Sequence, residues 1–152
     1  MALLGLIMVI MDELHGNIWH YHDRGDFIAI TTNGDVNARG ECVMGRGVAL
    51  QAKMRYRKLP RIVGEDLRRW GNHVRNYQQY RLFTFPVKHH WHEKADLDLI
   101  VRSCVELSES SFGIHVYLTR PGCGNGGLDW KVVKPAIDGL LDDRFTIVDL
   151  AF

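Results

Sequence analysis

The sequence predicts an α/β fold, a largely parallel sheet with helices on both faces. Three observations carry that prediction. Short apolar runs rich in β-branched and aromatic residues recur along the chain. Segments with apolar residues at helical spacing lie between them. The two kinds alternate with no linker, low-complexity tract or internal repeat, so the chain reads as one domain spanning residues 1–152. In such sheets the ligand crevice lies beyond the carboxyl ends of the strands.

The first expected strand is Leu6–Met11, ended by Asp12 and Glu13. This apolar start lacks the basic residues and small-residue cleavage site of a signal peptide, and it is shorter than the ~20 residues of a membrane helix. Further strands are expected at Phe27–Thr31, Tyr80–Phe85, His115–Thr119 and Phe145–Leu150. The residues from Gly47 to Arg57 are rich in helix formers, and Pro60 is expected to stop that helix. Ile62, Val63, Leu67 and Trp70 mark a second helix, with Gly71 as its stop and Trp70 in the core. Leu97, Ile100, Val101, Cys104 and Val105 form a third stripe, capped by Asp96. Trp130, Val133, Ile137, Leu140 and Leu141 form the last, opened by Asp129.

Composition narrows the function classes. Of 152 residues, 46% are hydrophobic and 24% charged, which excludes a disordered tail, a collagen-like fibre and a coiled coil. Nineteen basic and eighteen acidic side chains give a net charge of +1, too balanced to argue for non-specific binding to nucleic acid or membrane. The three cysteines, Cys42, Cys104 and Cys123, are an odd number in a chain large enough to fold without disulfides. A reducing, cytoplasmic setting is expected. The dense basic run Lys53, Arg55, Arg57, Lys58, Arg61, Arg68 and Arg69 fits either a solvated helix face or a nucleic-acid surface.

Two glycine-rich loops follow expected strands and enter expected helices. The first runs from Thr31 to Gly47, where Gly45 and Gly47 let backbone amides approach an anion at a helix N-terminus. Gly40 and Gly45 have P-loop spacing, but Arg46-Gly47 stands where Lys-Ser/Thr is required, which argues against a nucleoside triphosphatase. The second loop runs from Arg120 to Asp129, and Gly122, Gly124 and Gly127 satisfy G-x-G-x-x-G. About 25 residues remain after it, too few for the strand, helix and acidic ribose contact of a dinucleotide fold. Paired loops of this kind suggest two cradles for a diphosphate.

Three segments resemble a macrodomain, the ADP-ribose-binding module: Gly16-Asn-Ile-Trp19, the run from Ile28 through Val43-Met-Gly-Arg-Gly-Val-Ala-Leu-Gln51, and Pro121-Gly-Cys-Gly-Asn-Gly-Gly-Leu-Asp-Trp130. The resemblance covers essentially the whole chain and implies a three-layer α/β/α fold with a mixed, mostly parallel central sheet. Met44-Gly-Arg-Gly47 and Phe85-Pro-Val-Lys-His-His-Trp91 look most like the branch with DNA ADP-ribosyl-glycohydrolase antitoxins and related protein deacylases. It implies that Asn17 and Ile18 border the adenine, where an aspartate is usual at position 17 and asparagine can also accept. It places Asn33 on the distal ribose and Gly45, Arg46, Gly47 and Val48 in the first diphosphate loop. Cys123, Gly124, Asn125, Gly126 and Gly127 would form the second. Lys88 matches the lysine that acts on the anomeric carbon. The deacylases carry an aspartate where this chain has Gly126, which argues against protein-glutamate deacylation.

Weighed alone, Lys88 also reads as a solvated lysine at a strand end, and a free lysine with pKa near ~10.4 is no nucleophile. His89, His90, His92 and Glu93 invite a metal, yet adjacent side chains on extended chain point apart, so no metal or cofactor is expected. Cys123 is a thiol in the expected ligand loop and is read as packing there. The expected function is an ADP-ribosyl hydrolase that releases ADP-ribose from a modified acceptor, a DNA base or a protein, with Lys88 and Asn33 as catalytic residues. Alternatives are an ADP-ribose 1″-phosphate phosphatase and a non-catalytic ADP-ribose reader. No membrane or obligate protein partner is expected.

Overall fold

The computed structural model describes residues 10–150. Six strands form one sheet in the order β1-β6-β5-β2-β4-β3, with β1 at Asp12–His15, β2 at Phe27–Asn33, β3 at Arg75–Tyr77, β4 at Leu82–Lys88, β5 at Val116–Leu118 and β6 at Phe145–Asp149. All neighbouring pairs are parallel except β3 with β4. Five helices cover it: α1 (Ile18–Asp23), α2 (Gly47–Arg55), α3 (Leu59–Trp70), α4 (Leu97–Ser110) and α5 (Trp130–Ile137). The expected mixed, mostly parallel α/β architecture is therefore present.

Strand alternation sends side chains to two cores. Ile28 and Ile30 of β2 join Leu82 of β4 in a cluster with Ile18, Trp19, Ala52, Leu59 and Val63 from α1, α2 and α3. Ala29, Phe83 and Phe85 point the other way, toward Ile100, Leu107, Val133 and Ile137 of α4 and α5. The central strands are buried along nearly their whole length, the pattern of a sheet covered on both faces.

The structure corrects several expectations. The first expected strand, Leu6–Met11, lies largely outside the described residues. Among the described residues, pairing with β6 begins at Asp12, after the buried Met11. Among the described residues β1 is an edge strand; all four of its residues are exposed, and it carries the charges an edge tolerates, with Glu13 accepting from Lys134 and from the Trp130 indole at 3.0 Å. Pro60 does not terminate α2. It sits in the first turn of α3, where its missing N–H has no intrahelical partner to lose. Trp70 is 58% exposed at the end of α3, with the Arg75 guanidinium 5.8 Å from its ring, and is not core. In α4 the buried face is Leu99, Ile100, Ser103, Cys104 and Leu107, while Val105 is exposed. Two elements were not expected. Helix α1 has six residues with polar His20, His22 and Asp23, and β3 has three residues, Arg75-Asn-Tyr77. Both are too short to show a period.

His22 fastens α1 to the turn that precedes β4 and to the end of α2. It is 1% exposed, and its Nε2 lies 2.8 Å from the Tyr80 carbonyl and 3.3 Å from the Tyr56 hydroxyl. With Nε2 donating to Tyr80, the buried Nδ1 has no hydrogen-bond partner among the described residues. Burial, reinforced by the Arg81 and Arg55 charges, holds the His22 pKa below the usual histidine value. The unfolded chain therefore takes up a proton near pH ~6.5 that the folded chain resists. Stability contributed by neutral His22 is complete above that pH and is lost as the pH falls through the depressed folded pKa. His90, whose pKa is raised by the Asp35 hydrogen bond, works in the opposite direction, but it is exposed. The urea midpoint should fall between pH 7.5 and 5.5 with an unchanged slope, and His22→Gln should flatten that fall. Equal pH dependence in both proteins would exclude His22 as its source.

Candidate functional site

A cavity of about 920 Å³ opens at the carboxyl ends of β2, β4, β5 and β6. That size is ample for a small-molecule ligand. Its walls come from the ends of those strands (Thr31 to Asn33, Val87 and Lys88, Thr119 and Arg120, Val148 and Asp149) and from both glycine-rich loops. The start of α1 adds Gly16, Asn17 and Ile18.

The first loop is braced from within. Asn33 donates from Nδ2 to the Val43 carbonyl at 2.9 Å and accepts from the Asp35 amide at 3.0 Å. The Val43 amide returns a bond to Asp35 O at 3.0 Å, and Val36 bridges Cys42. From outside, Gly64 of α3 lies so close that an added Cβ would stand 2.2 Å from Gly40 O. The loop then delivers Gly45 and Gly47 to the start of α2. Gly45 has open space where a Cβ would be, and Gly47 needs its left-handed φ of 57°. Arg46, the N-cap of α2, makes no side-chain cap bond. The first-turn amides of α2 thus face the cavity without a side-chain cap, in the manner of an anion-binding helix end.

The second loop folds on itself. The Leu128 amide donates to Gly122 O at 2.9 Å, Gly127 N to Gly124 O at 3.1 Å, and Ala95 N to Gly126 O at 2.9 Å. A Cβ at Gly126 would meet Gly122 O at 2.4 Å and the Ala95 methyl at 2.8 Å, whereas Gly124 faces open space. Helix α5 differs from α2, because the Asp129 carboxylate accepts from Lys131 N and caps it. The loops meet where a Cβ at Gly47 would stand 3.2 Å from Asn125 Nδ2.

This architecture can be compared with solved structures. The macrodomain of Mycobacterium tuberculosis DarG aligns over 95% of this chain and 99% of its own, with a TM-score of 0.67 at 24% identity. The macrodomain of Thermus aquaticus DarG aligns over 94% and 99%, with a TM-score of 0.66 at 24% identity. This chain has the macrodomain fold. Thermosipho africanus DarTG, solved in complex with ADP-ribose, gives a TM-score of 0.70 at 18% identity over 91% of this chain. This chain spans 41% of that protein's length. No family model matches the sequence, and no curated protein is significantly similar to it.

On this macrodomain scaffold, Asn17, Ile18, Asn33, Gly45, Arg46, Gly47, Val48, Lys88, Cys123, Gly124, Asn125 and Gly126 all line the one cavity. Gly127 does not. It lines an adjoining cavity of about 300 Å³ with Arg46, Lys88, Trp91, His92 and Lys94. Asn17 caps α1, its Oδ1 accepting from Trp19 N at 3.0 Å, which leaves its amide N–H groups for a ligand. Lys88 Nζ donates to Asn125 O at 3.2 Å and Trp91 O at 3.3 Å, tying β4 to the second loop and keeping one N–H free. Burial pushes the Cys123 thiol up to about 11, and its Sγ lies 3.5 Å from Pro121 O, so it packs rather than attacks.

The histidines diverge. His89 pairs with Asp96 at 2.8 Å and His90 with Asp35 at 2.8 Å, and among the described residues no cluster of three His, Cys, Asp or Glu side chains could hold a metal. Sequence reasoning missed several lining residues, among them Thr119, Arg120, Gln51 and Asp149. Arg120 and Asp149 pair at 3.4 Å at the ends of β5 and β6, and strand ends were the signal that could have found them.

The contrast within the second loop is testable. Gly126→Ala should destabilise the protein by about 1–3 kcal/mol through the forced contact with Gly122 and Ala95, and Gly124→Ala should stay within roughly 0.5 kcal/mol of the parent. Urea denaturation of both variants is the measurement, and equal stabilities would contradict the tight packing at Gly126.

Proposed function

We propose that this protein binds ADP-ribose in the cleft between the two glycine-rich loops and hydrolyses the bond from C1″ to an acceptor. The observation that carries the reading is the convergence of both loops, the uncapped start of α2 and Lys88 on one cavity. The Thermosipho africanus DarTG complex with ADP-ribose supports the choice of ligand. The chain acts as one macrodomain over residues 1–152, without cofactor or metal, and its partner is ADP-ribose or an ADP-ribosylated macromolecule.

In this assignment the adenine lies against Asn17 and Ile18. The diphosphate takes amides from Gly45 to Val48 and from Gly124 to Gly126, since the Cys123 and Gly127 amides are already bonded within the loop. Asn33 shapes the distal end, since its side chain already holds Val43 and Asp35 and keeps one N–H for the ribose. Lys88 stands at the joint between the two cavities, and its remaining N–H can stabilise the charge that grows on the departing acceptor atom. Both bonds from Nζ run to carbonyl oxygens, which suits an ammonium that acts by charge better than a nucleophile. The missing acid at Gly126 has a steric cause, because the loop backbone leaves no room for a side chain there. That favours an acceptor other than a protein glutamate, with a DNA base the preferred one. The same engagement of Lys88 favours a non-catalytic reader as the second reading.

Two measurements test this. Titration calorimetry should show ADP-ribose binding in preference to NAD and ATP, and Gly45→Glu should weaken it more than tenfold, about 1.4 kcal/mol, by placing a carboxylate in open space at the diphosphate. Gly126→Glu is not a clean test, since it would also distort the loop. In single-turnover release of ADP-ribose from an ADP-ribosylated oligonucleotide, Lys88→Ala should slow release by roughly 10²-fold or more while ADP-ribose affinity stays nearly constant. A fully active Lys88→Ala protein would remove Lys88 from the mechanism. An inactive parent protein on DNA, protein and 1″-phosphate acceptors alike would leave the reader.

A further inference from the structure

We infer that Asp35 is a positioning residue that fixes the Lys88 ammonium through the backbone of Trp91. The inference rests on the hydrolase reading for its functional consequence and on geometry for its structural content. Asp35 lies in the first loop, outside both cavities, and contacts neither the proposed ligand nor Lys88 directly. Its own backbone is held at both ends, the amide by Asn33 Oδ1 at 3.0 Å and the carbonyl by Val43 N at 3.0 Å. The carboxylate is therefore a fixed point. One oxygen accepts from the Trp91 amide at 2.6 Å and the other from His90 Nδ1 at 2.8 Å, residues more than fifty positions away in the chain.

Those bonds fasten the turn that follows β4. Trp91 has its amide on Asp35 and its carbonyl on Lys88 Nζ at 3.3 Å, so one peptide segment converts the position of the carboxylate into the position of the ammonium. The Gly34 amide bond to His89 O, at 3.2 Å, holds the start of the same turn. Trp91 is 54% exposed, so its own packing contributes little to its placement, and the other side-chain tie of the turn, His89 on Asp96 at 2.8 Å, lies two residues earlier. Burial pushes the Asp35 carboxyl up, but hydrogen bonds from His90 and Trp91 outweigh it and hold the group below the usual carboxylate range. The carboxylate is thus ionised across the neutral range and accepts both bonds there. Without it, Trp91 O is free to leave Nζ, and Lys88 keeps only Asn125 O.

A double-mutant cycle and a side-chain signal test this together. In Asp35→Ala the 15Nζ resonance of Lys88, assigned by its loss in Lys88→Ala, should shift while those of the other lysines stay. Release of ADP-ribose from the modified oligonucleotide should slow about tenfold with affinity for free ADP-ribose unchanged, and Asp35→Ala in a Lys88→Ala background should cost nothing further. Asp35→Asn keeps an acceptor for the Trp91 amide and should recover most of the rate. Unchanged affinity serves as the control for folding. An unmoved Lys88 signal, or losses that multiply in the double variant, would overturn the role. If the parent protein releases no ADP-ribose, the hydrolase reading fails, and the Lys88 signal alone still decides whether Asp35 places the ammonium.

Discussion

The register between β2 and β4 is the constraint on which the cleft depends. The two strands run in step from Ile28 opposite Leu82 to Thr32 opposite Pro86, and then the ladder slips so that Asn33 faces Lys88. The slip coincides with Pro86, which has no N–H to give the ladder. Its carbonyl is taken by Ser103 Oγ of α4 at 2.6 Å. One skipped residue therefore brings the two polar side chains at the strand ends to the same level, at the edge where β5 and β6 also finish. Without the slip, Val87 would stand opposite Asn33, and Lys88 would lie one residue beyond it.

From that edge outward the structure is built of short polar ties rather than apolar packing. Asn33 holds Asp35, Asp35 holds Trp91, and Trp91 with Asn125 holds Lys88. The Asp35–Trp91 tie joins the segment leaving β2 to the one leaving β4, and the Lys88–Asn125 tie joins β4 to the segment leaving β5. The cores beneath supply the bulk of the stability, since Phe83, Phe85, Ile28 and Ile30 are fully buried. Shape at the rim comes instead from backbone amides and carbonyls, with glycines where chains approach too closely for a Cβ.

The layered fold was legible because strands buried on both faces read as unbroken apolar runs and the longer helices showed their stripes. Leu82–Lys88 and Leu97–Ser110 are examples. Helix α1 was not, since His20, His22 and Asp23 hide its period and its burial depends on contacts from Tyr56 and Tyr80 far along the chain. Trp70 misled because an aromatic at helical spacing is ordinarily core, whereas here it is the last residue of α3 and lies exposed beside the Arg75 guanidinium. The loop residues of the cleft were visible as glycine patterns and as a family resemblance. The part played by Asp35 was not, because no local pattern links residues 35 and 91.

The closeness of Gly126 to Gly122 and Ala95 bears on how this scaffold can change over evolutionary time. A carboxylate at position 126 is not one substitution away from this sequence, since any side chain there collides with backbone from the same loop and with the start of the segment that leads into α4. A lineage would have to widen the loop or retract residue 95 first, each step without the benefit of the acid. In this chain the path of the loop backbone, rather than the choice of residue alone, decides whether an acid can stand at position 126.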